Sequence, residues 1–218
     1  MYFASRLQAG RMLSSRLIDK YRYENCAVVA LNDGGVMVGA QIASQLHCVL
    51  MLLVSSEISI PQEPEALLGT TDGHSIVYNK HYSQSQIDEF CREYSSYIDQ
   101  EKRLKMHEMN RLVGDGGIMD KAMLKGRNII VVSDGLKSGF TLDIAADYLK
   151  SASIDKLIVA TPLASLEAVD SMHITADEIY CLNVIEDLRP VDHYYHAKDV
   201  PEHSAAIEVI QDIIKNWK

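Results

Sequence analysis

Ile129-Ile130-Val131-Val132-Ser133-Asp134-Gly135-Leu136-Lys137-Ser138-Gly139-Phe140-Thr141 runs four β-branched residues into a loop holding two glycines, two serines, one acid and one lysine. The apolar run predicts a strand covered on both faces. Leu142, Ile144, Ala145, Tyr148 and Leu149 follow at helical spacing, so a helix opens at Thr141 where the loop ends. A glycine-bearing loop between a parallel strand and a helix N-terminus suits an anion. Backbone N–H groups point into it, the helix end adds partial positive charge, and Gly139 allows close approach to the main chain. Ser138 and Thr141 add hydroxyl donors and Lys137 a full charge, so the stretch reads as a phosphate cradle.

Outward from this loop the chain alternates strand and helix. Ser5 to Lys20 predicts an opening helix, Cys26 to Leu31 a buried strand, Val36 to Leu46 a helix and Val49 to Val54 a strand. The series resumes with Asn128 to Val132, a helix from Thr141 to Lys150, Leu157 to Thr161, a helix from Ser165 to Met172, Glu178 to Leu182 and a last helix from His203 to Trp217. This order predicts an α/β, doubly wound, mostly parallel five-stranded sheet with right-handed crossovers. The expected organisation is one domain, 1–218, with a helical and flexible-loop insertion at about 55–125. That insertion holds an extended proline segment, a short strand at Ser75 to Tyr78, one long helix from Ser83 to Leu112 and a mobile loop at Gly114-Asp115-Gly116-Gly117. Ile87, Phe90, Cys91, Tyr94, Ile98 and Leu104 form the long helix's apolar stripe, a candidate homodimer surface or a packing face for its own sheet.

Length and composition bound the class. The chain has 218 residues, 47% hydrophobic and 23% charged, as an ordinary globular protein does. Its net charge is −9, from 21 Lys and Arg against 30 Asp and Glu, which argues against a nucleic-acid partner. The densest basic cluster, Lys102-Arg103-Lys105, is flanked by Glu101 and Glu108 and reads as a solvated helix face. Signal-peptide order is absent at the N-terminus, no apolar run approaches bilayer length, and the four cysteines are scattered; the expected location is the cytoplasm. The eight histidines show no ligand spacing, and no structural zinc is expected.

The loop matches neither the Walker pattern nor the dinucleotide fingerprint. Strand, acid, short loop, then Ser138-Gly139-Phe140-Thr141 resembles the phosphoribosyl-pyrophosphate (PRPP) motif of type I phosphoribosyltransferases. Four further segments, in order, resemble a bacterial branch of that family: Ala30-Leu31-Asn32-Asp33-Gly34-Gly35-Val36, Pro61 to Gly69, Thr161-Pro162-Leu163-Ala164-Ser165, and Val191-Asp192-His193-Tyr194-Tyr195. The resemblance implies substrate binding by Ser133, Asp134, Gly135, Lys137, Ser138, Gly139, Phe140 and Thr141, with Asp134 the catalytic acid. It assigns Asp33, Gly34 and Gly35 to a pyrophosphate loop, and a C-terminal hood at about 183–202 to the acceptor, with Tyr194 and Tyr195 available to stack on it. It also implies Mg²⁺ carried with PRPP, met by Asp134 through water or ribose hydroxyls. If the Cys26–Leu31 strand lies beside the Asn128–Val132 strand, Asp33-Gly34-Gly35 and Asp134 to Thr141 line one crevice at the strand ends, and Asp134, before Gly135, is expected to project its carboxylate into it.

Three positions depart from the family pattern. Ser133 stands where the first of two acids is expected, Asp33 where an arginine precedes Gly34-Gly35, and Ser55-Ser56 where the branch has Arg-Lys. In such a reaction positive charge develops on the sugar and negative charge on departing pyrophosphate, so electrostatic stabilisation matters most. Two functions therefore stand side by side. The first is a phosphoribosyltransferase that binds PRPP or a nucleoside or sugar 5′-phosphate and transfers ribose 5-phosphate to a nitrogenous acceptor. The second is a catalytically impaired phosphoribosyltransferase-fold protein that binds a nucleotide as a regulator.

Overall fold

The computed structural model describes residues 2–53, 56–61, 63–71, 76–79, 82–113 and 121–215. In chain order these form α1 (Arg6–Tyr21), β1 (Cys26–Ala30), α2 (Asp33–Leu46), β2 (Val49–Leu52), β3 (Ser56–Ile60), β4 (Glu63–Thr71), β5 (Ile76–Tyr78), α3 (Gln84–Glu93) and α4 (Ser95–Val113). They continue with β6 (Asn128–Val132), α5 (Phe140–Lys150), β7 (Lys156–Ser165), α6 (Leu166–Thr175), β8 (Glu178–Ile185) and α7 (His203–Lys215). Two compact units result: Met1–Leu53 with Met119–Lys218, and Val54–Ile118.

The first unit is built on a five-stranded sheet of order β2-β1-β6-β7-β8, every neighbouring pair parallel. Side chains alternate across its two faces. Val28, Ala30, Ile130 and Val132 enter a core shared with Leu13 and Leu17 of α1, Ile42 of α2 and Ile213 of α7. Ala27, Val29, Ile129 and Val131 enter a second core with Leu142 and Leu149 of α5 and Met172 of α6. Helices thus cover both faces, which is why β1 and β6 are buried at every residue and read as apolar runs, unbroken in β1 and from Ile129 on in β6. Each fully buried aliphatic side chain contributes about 1.5–3 kcal/mol of transfer free energy. This doubly wound α/β sheet is the one expected, with β1 beside β6.

Among the described residues no helix is long and apolar enough to cross a membrane. Cys26 and Cys48 are buried free thiols, and burial pushes their pKa values up to about 11 and about 12.

The second unit differs from its sequence reading. The proline-bearing segment forms antiparallel strands, β3 pairing with β4 and β4 with β5, with register shifts around Ser59. Expected as one helix, 83–112 is two, interrupted at Tyr94, whose backbone leaves helical geometry at φ −109° and ψ 22°. Tertiary packing accounts for both. Ile58, Ile60 and Leu68 of the strands bury against Ile98, with Phe90, Tyr94 and Tyr97 packed around them. The apolar stripe therefore lies on this unit's own sheet as far as Ile98, whereas Leu104 is exposed. Ser55, the Gly114 to Gly117 loop and Trp217 lie outside the described residues.

At the other end of the first sheet, Glu178 accepts from Lys20 at 2.6 Å and from the Tyr180 hydroxyl at 3.2 Å. Burial alone would raise the Glu178 pKa, but these hydrogen bonds, with Lys20 foremost, hold it at about 2, below its ordinary 4.5. A depressed carboxylate stabilises the fold above its unfolded pKa and loses that contribution as pH falls through the folded one. Glu178→Gln is thus expected to lower the melting temperature at pH 6, with the two proteins converging as the pH is taken from about 4.5 towards 2. A constant offset across that window would contradict the assignment.

Candidate functional site

Ser133 and Asp134 follow β6, at the end where the loops after β1 and β6 meet. The Ser133 hydroxyl is buried in its own turn: it donates to the Gly135 carbonyl (3.0 Å) and accepts from the Gly135 N–H (3.2 Å) and from Asn32 Nδ2 (3.4 Å). Beyond it, Leu136 extends the sheet by one bridge to Ala164, its N–H donating to Leu163 and its carbonyl accepting from Ser165. Ser165 Oγ donates to the Lys137 carbonyl (2.7 Å) and accepts from the Ala168 N–H, so one hydroxyl anchors the loop and caps α6.

The loop then enters α5, whose N-cap is Gly139. A glycine cap has no side chain to accept from first-turn amides, and these face a loop with exposed Lys137 and half-buried Ser138 and Thr141. Amides, hydroxyls and one cation at a helix start give the chemistry of an anion cradle. Gly139 is required by close approach: a Cβ there would lie 1.8 Å from Ser171 Oγ and 2.0 Å from Ser171 Cβ on α6.

Asp134 is oriented differently from the expectation. Its carboxylate does not stand open in a crevice; the residue is 5% exposed and Oδ2 accepts from Arg6 Nε at 2.7 Å. Arg6, 1% exposed, also donates through Nη2 to Asp192 (2.5 Å) and through Nη1 to Asp199 (3.0 Å), and its backbone N–H donates to Asp199 Oδ2 (2.9 Å). Burial alone would lower the guanidinium pKa; the charge of Asp134 and the hydrogen bonds to all three carboxylates outweigh it and raise it. The physical reason for the inward turn is charge: a nearly buried arginine requires carboxylate partners. Asp134→Asn keeps an acceptor but removes the charge. It is expected to cost about 1–2 kcal/mol of stability, in place of the unchanged stability that an open carboxylate would give. Chemical denaturation at neutral pH measures it.

Asp33, Gly34 and Gly35, expected as a loop, form the first turn of α2. Asn32 is the reason: its Oδ1 accepts from the Gly35 N–H at 2.6 Å and its carbonyl from the Val36 N–H at 3.0 Å. The Asp33 carboxylate accepts from His203 Nδ1 at 2.9 Å. Gly34 backs onto Asp134, where a Cβ would fall 2.1 Å from Oδ2. The structure therefore brings the Asp33–Gly35 turn and Asp134 together, as the sequence suggested, but with their carboxylates paired to Arg6 and His203.

Tyr194 and Tyr195, expected to be open for stacking on an acceptor, are 5% and 2% exposed. Both join Phe3, Ala9, Leu163 and Leu188 in a small core, because the segment after Asp192 pairs with the chain's start: Phe3 bridges Tyr195, and the His196 N–H donates to the Phe3 carbonyl. The Tyr195 hydroxyl donates to the Asp134 carbonyl (2.7 Å), and its ring lies 4.4 Å under the Arg6 guanidinium. Burial raises its phenol pKa.

Arg6, Asp192, Asp199, Asn32 and His203 were not anticipated. One signal existed: Arg6 stands in register with Ala9, Leu13 and Leu17 on the buried face of α1, where a cation demands partners. The partners themselves carry no local sign.

Comparison with known proteins identifies the family. The phosphoribosyl transferase domain family matches residues 3–196. A protein of Mycobacterium tuberculosis named "Putative phosphoribosyl transferase Rv0571c" is 28% identical over 187 residues, 83% of this chain and 40% of that protein, so the chain spans less than half the relative's length. The crystal structure of TT1426 from Thermus thermophilus superposes with a TM-score of 0.71 at 25% identity, covering 100% of this chain and 99% of that one. The purine phosphoribosyltransferase of Pyrococcus horikoshii shares the fold at a TM-score of 0.50 and 10% identity, over 92% of this chain and 96% of the other. With a family match that runs through both loops and the whole five-stranded sheet, the chain belongs to the phosphoribosyl transferase domain family.

Proposed function

We propose that the protein binds a 5′-phosphorylated ribose compound, with the phosphate held at the start of α5 by the Lys137–Thr141 loop. The observation that carries this is the Gly139-capped α5 N-terminus beside Lys137, Ser138 and Thr141, on a strand-to-helix junction of a phosphoribosyl transferase domain. Once the ligand is bound, the first reading is phosphoribosyl transfer to a nitrogenous acceptor. Recognition without turnover is the second, and the pairing of Asp134 with Arg6 favours it, because the acid meant for the sugar already has a cation.

Magnesium, which the resemblance couples to PRPP, is not matched by the donors present. Asp134, the acid expected to meet it, is held by Arg6, and the Ser133 hydroxyl is bonded within its turn.

Titration calorimetry with ribose 5-phosphate, and with ribose as control, tests the cradle. The phosphorylated sugar is expected to bind and ribose not to. Replacing Ser138 and Thr141 by alanine and valine is expected to weaken binding about tenfold, through loss of hydroxyl donors to a charged group. Equal binding by the double variant would remove the loop from the site.

A further inference from the structure

The loops after β1 and β6 open onto the same strand ends, and the helices they lead into have opposite chemistry. At α5 a glycine cap leaves first-turn amides to a ligand, with Lys137 alongside. At α2 the chain supplies its own oxygens. The Asn32 side chain takes the Gly35 N–H, Asp33 adds a carboxylate in the first turn, and the Asp134 carboxylate sits directly behind Gly34. The Asp33 side chain is 29% exposed, so its charge reaches solvent at this edge, and its one protein donor there among the described residues is His203 Nδ1.

We infer that the site selects a phosphomonoester whose other end is uncharged or cationic, such as ribose 5-phosphate or a nucleoside 5′-monophosphate, over a ligand that also carries pyrophosphate, and that Asp33 sets this selectivity. The inference rests on the proposed phosphate site at α5. A ligand anchored there and extending across the strand ends runs towards the first turn of α2. A second anion placed at that turn meets the Asp33 carboxylate, with the Gly35 N–H already taken by the Asn32 side chain, so charge repels it. A hydroxyl, amine or base N–H meets acceptors. His203 belongs to the same device: donating Nδ1–H to Asp33, it fixes the carboxylate at the start of α2 while Nε2 is buried without a partner among the described residues.

Calorimetry on the full chain, with ribose 5-phosphate, adenosine 5′-monophosphate and PRPP in turn, with and without magnesium, tests this. Both monoesters are expected to bind about tenfold or more tightly than PRPP at low salt, the gap shrinking as salt screens the repulsion. If only one monoester binds, the ligand class narrows to it and the preference over PRPP must still hold. Asp33→Asn and His203→Ala disturb the same hydrogen bond, so a purely structural role moves both variants alike. The electrostatic role separates them: Asp33→Asn narrows the gap about tenfold and His203→Ala does not. PRPP binding as tightly as the monoesters in the unaltered protein, or equal shifts in the two variants, would overturn the inference while leaving the phosphate site standing. Failure of every phosphate ligand to bind folded protein would instead overturn the phosphate site, and the inference with it. The salt series on the unaltered protein decides the matter should Asp33→Asn not fold.

Discussion

Arg6→Met is expected to destabilise the protein by about 3–5 kcal/mol, the scale of removing one partner from a buried ion pair. Methionine fills much of the volume but donates nothing. Asp134, with 7% of its side chain exposed, loses its cation and its hydrogen bond together, and Asp199, 20% exposed, loses one of its two donors, since the Arg6 backbone N–H remains. Asp192 is 57% exposed and rehydrates at little cost. The loss therefore falls on Asp134 and propagates through the Tyr195 hydroxyl, which holds the carbonyl of the same residue. For a chain of this size the change amounts to a fall of about 10 °C in melting temperature. Arg6→Lys retains charge but cannot fork towards three carboxylates, and its cost should be intermediate. A melting temperature within about 2 °C of the unaltered protein would show that the cluster is not structural.

Gly139→Ala is expected to cost about 1–3 kcal/mol through overpacking and to weaken phosphate binding about tenfold or more. Backbone conformation is not the obstacle, since φ at this residue is −73°, open to any amino acid. Space is. The new Cβ would meet Ser171 Cβ at 2.0 Å, so rotating the Ser171 hydroxyl away does not relieve the clash, and α5 must part from α6. That movement displaces the amides at the start of α5 from the loop that Ser165 anchors. Ser171→Gly removes both clashing atoms, and the double variant should regain stability and ligand affinity. Calorimetry and thermal melting on the three proteins measure both effects. A single variant that binds as before would place the phosphate elsewhere.

What could be read without coordinates is set by the range of the interactions involved. Strands β1 and β6 are apolar runs, and α1, α5 and α7 carry helical periodicity, so the α/β sheet and most of its elements were legible from neighbours in sequence. The strand-to-helix junction that carries Ser138, Gly139 and Thr141 was legible for the same reason: the three sit within four residues of one another, between two elements each identifiable by pattern. The hairpins of 56–78 were not, because Glu63 and Pro64 mask the strand character of β4, and its partners are chosen by a core that includes Ile98, thirty residues further on. The start of α2 turned on Asn32, whose capping bond made a helical turn of two glycines that read as loop.

Tertiary structure alone decided the charges. Arg6 meets residues 128, 186 and 193 positions away, and Asp33 meets His203 170 positions away. Read locally, Asp134 is an acid at a strand end and should open towards a ligand. Once α1 brings a nearly buried guanidinium against that strand end, the cost of an unpaired buried cation turns the carboxylate inward. Sequence periodicity is set by contacts a few residues apart, and it specified the scaffold and its strand-to-helix junctions. Pairing between distant charges depends on which elements the topology brings together, and it determined that Asp134 is held by Arg6 and Asp33 by His203.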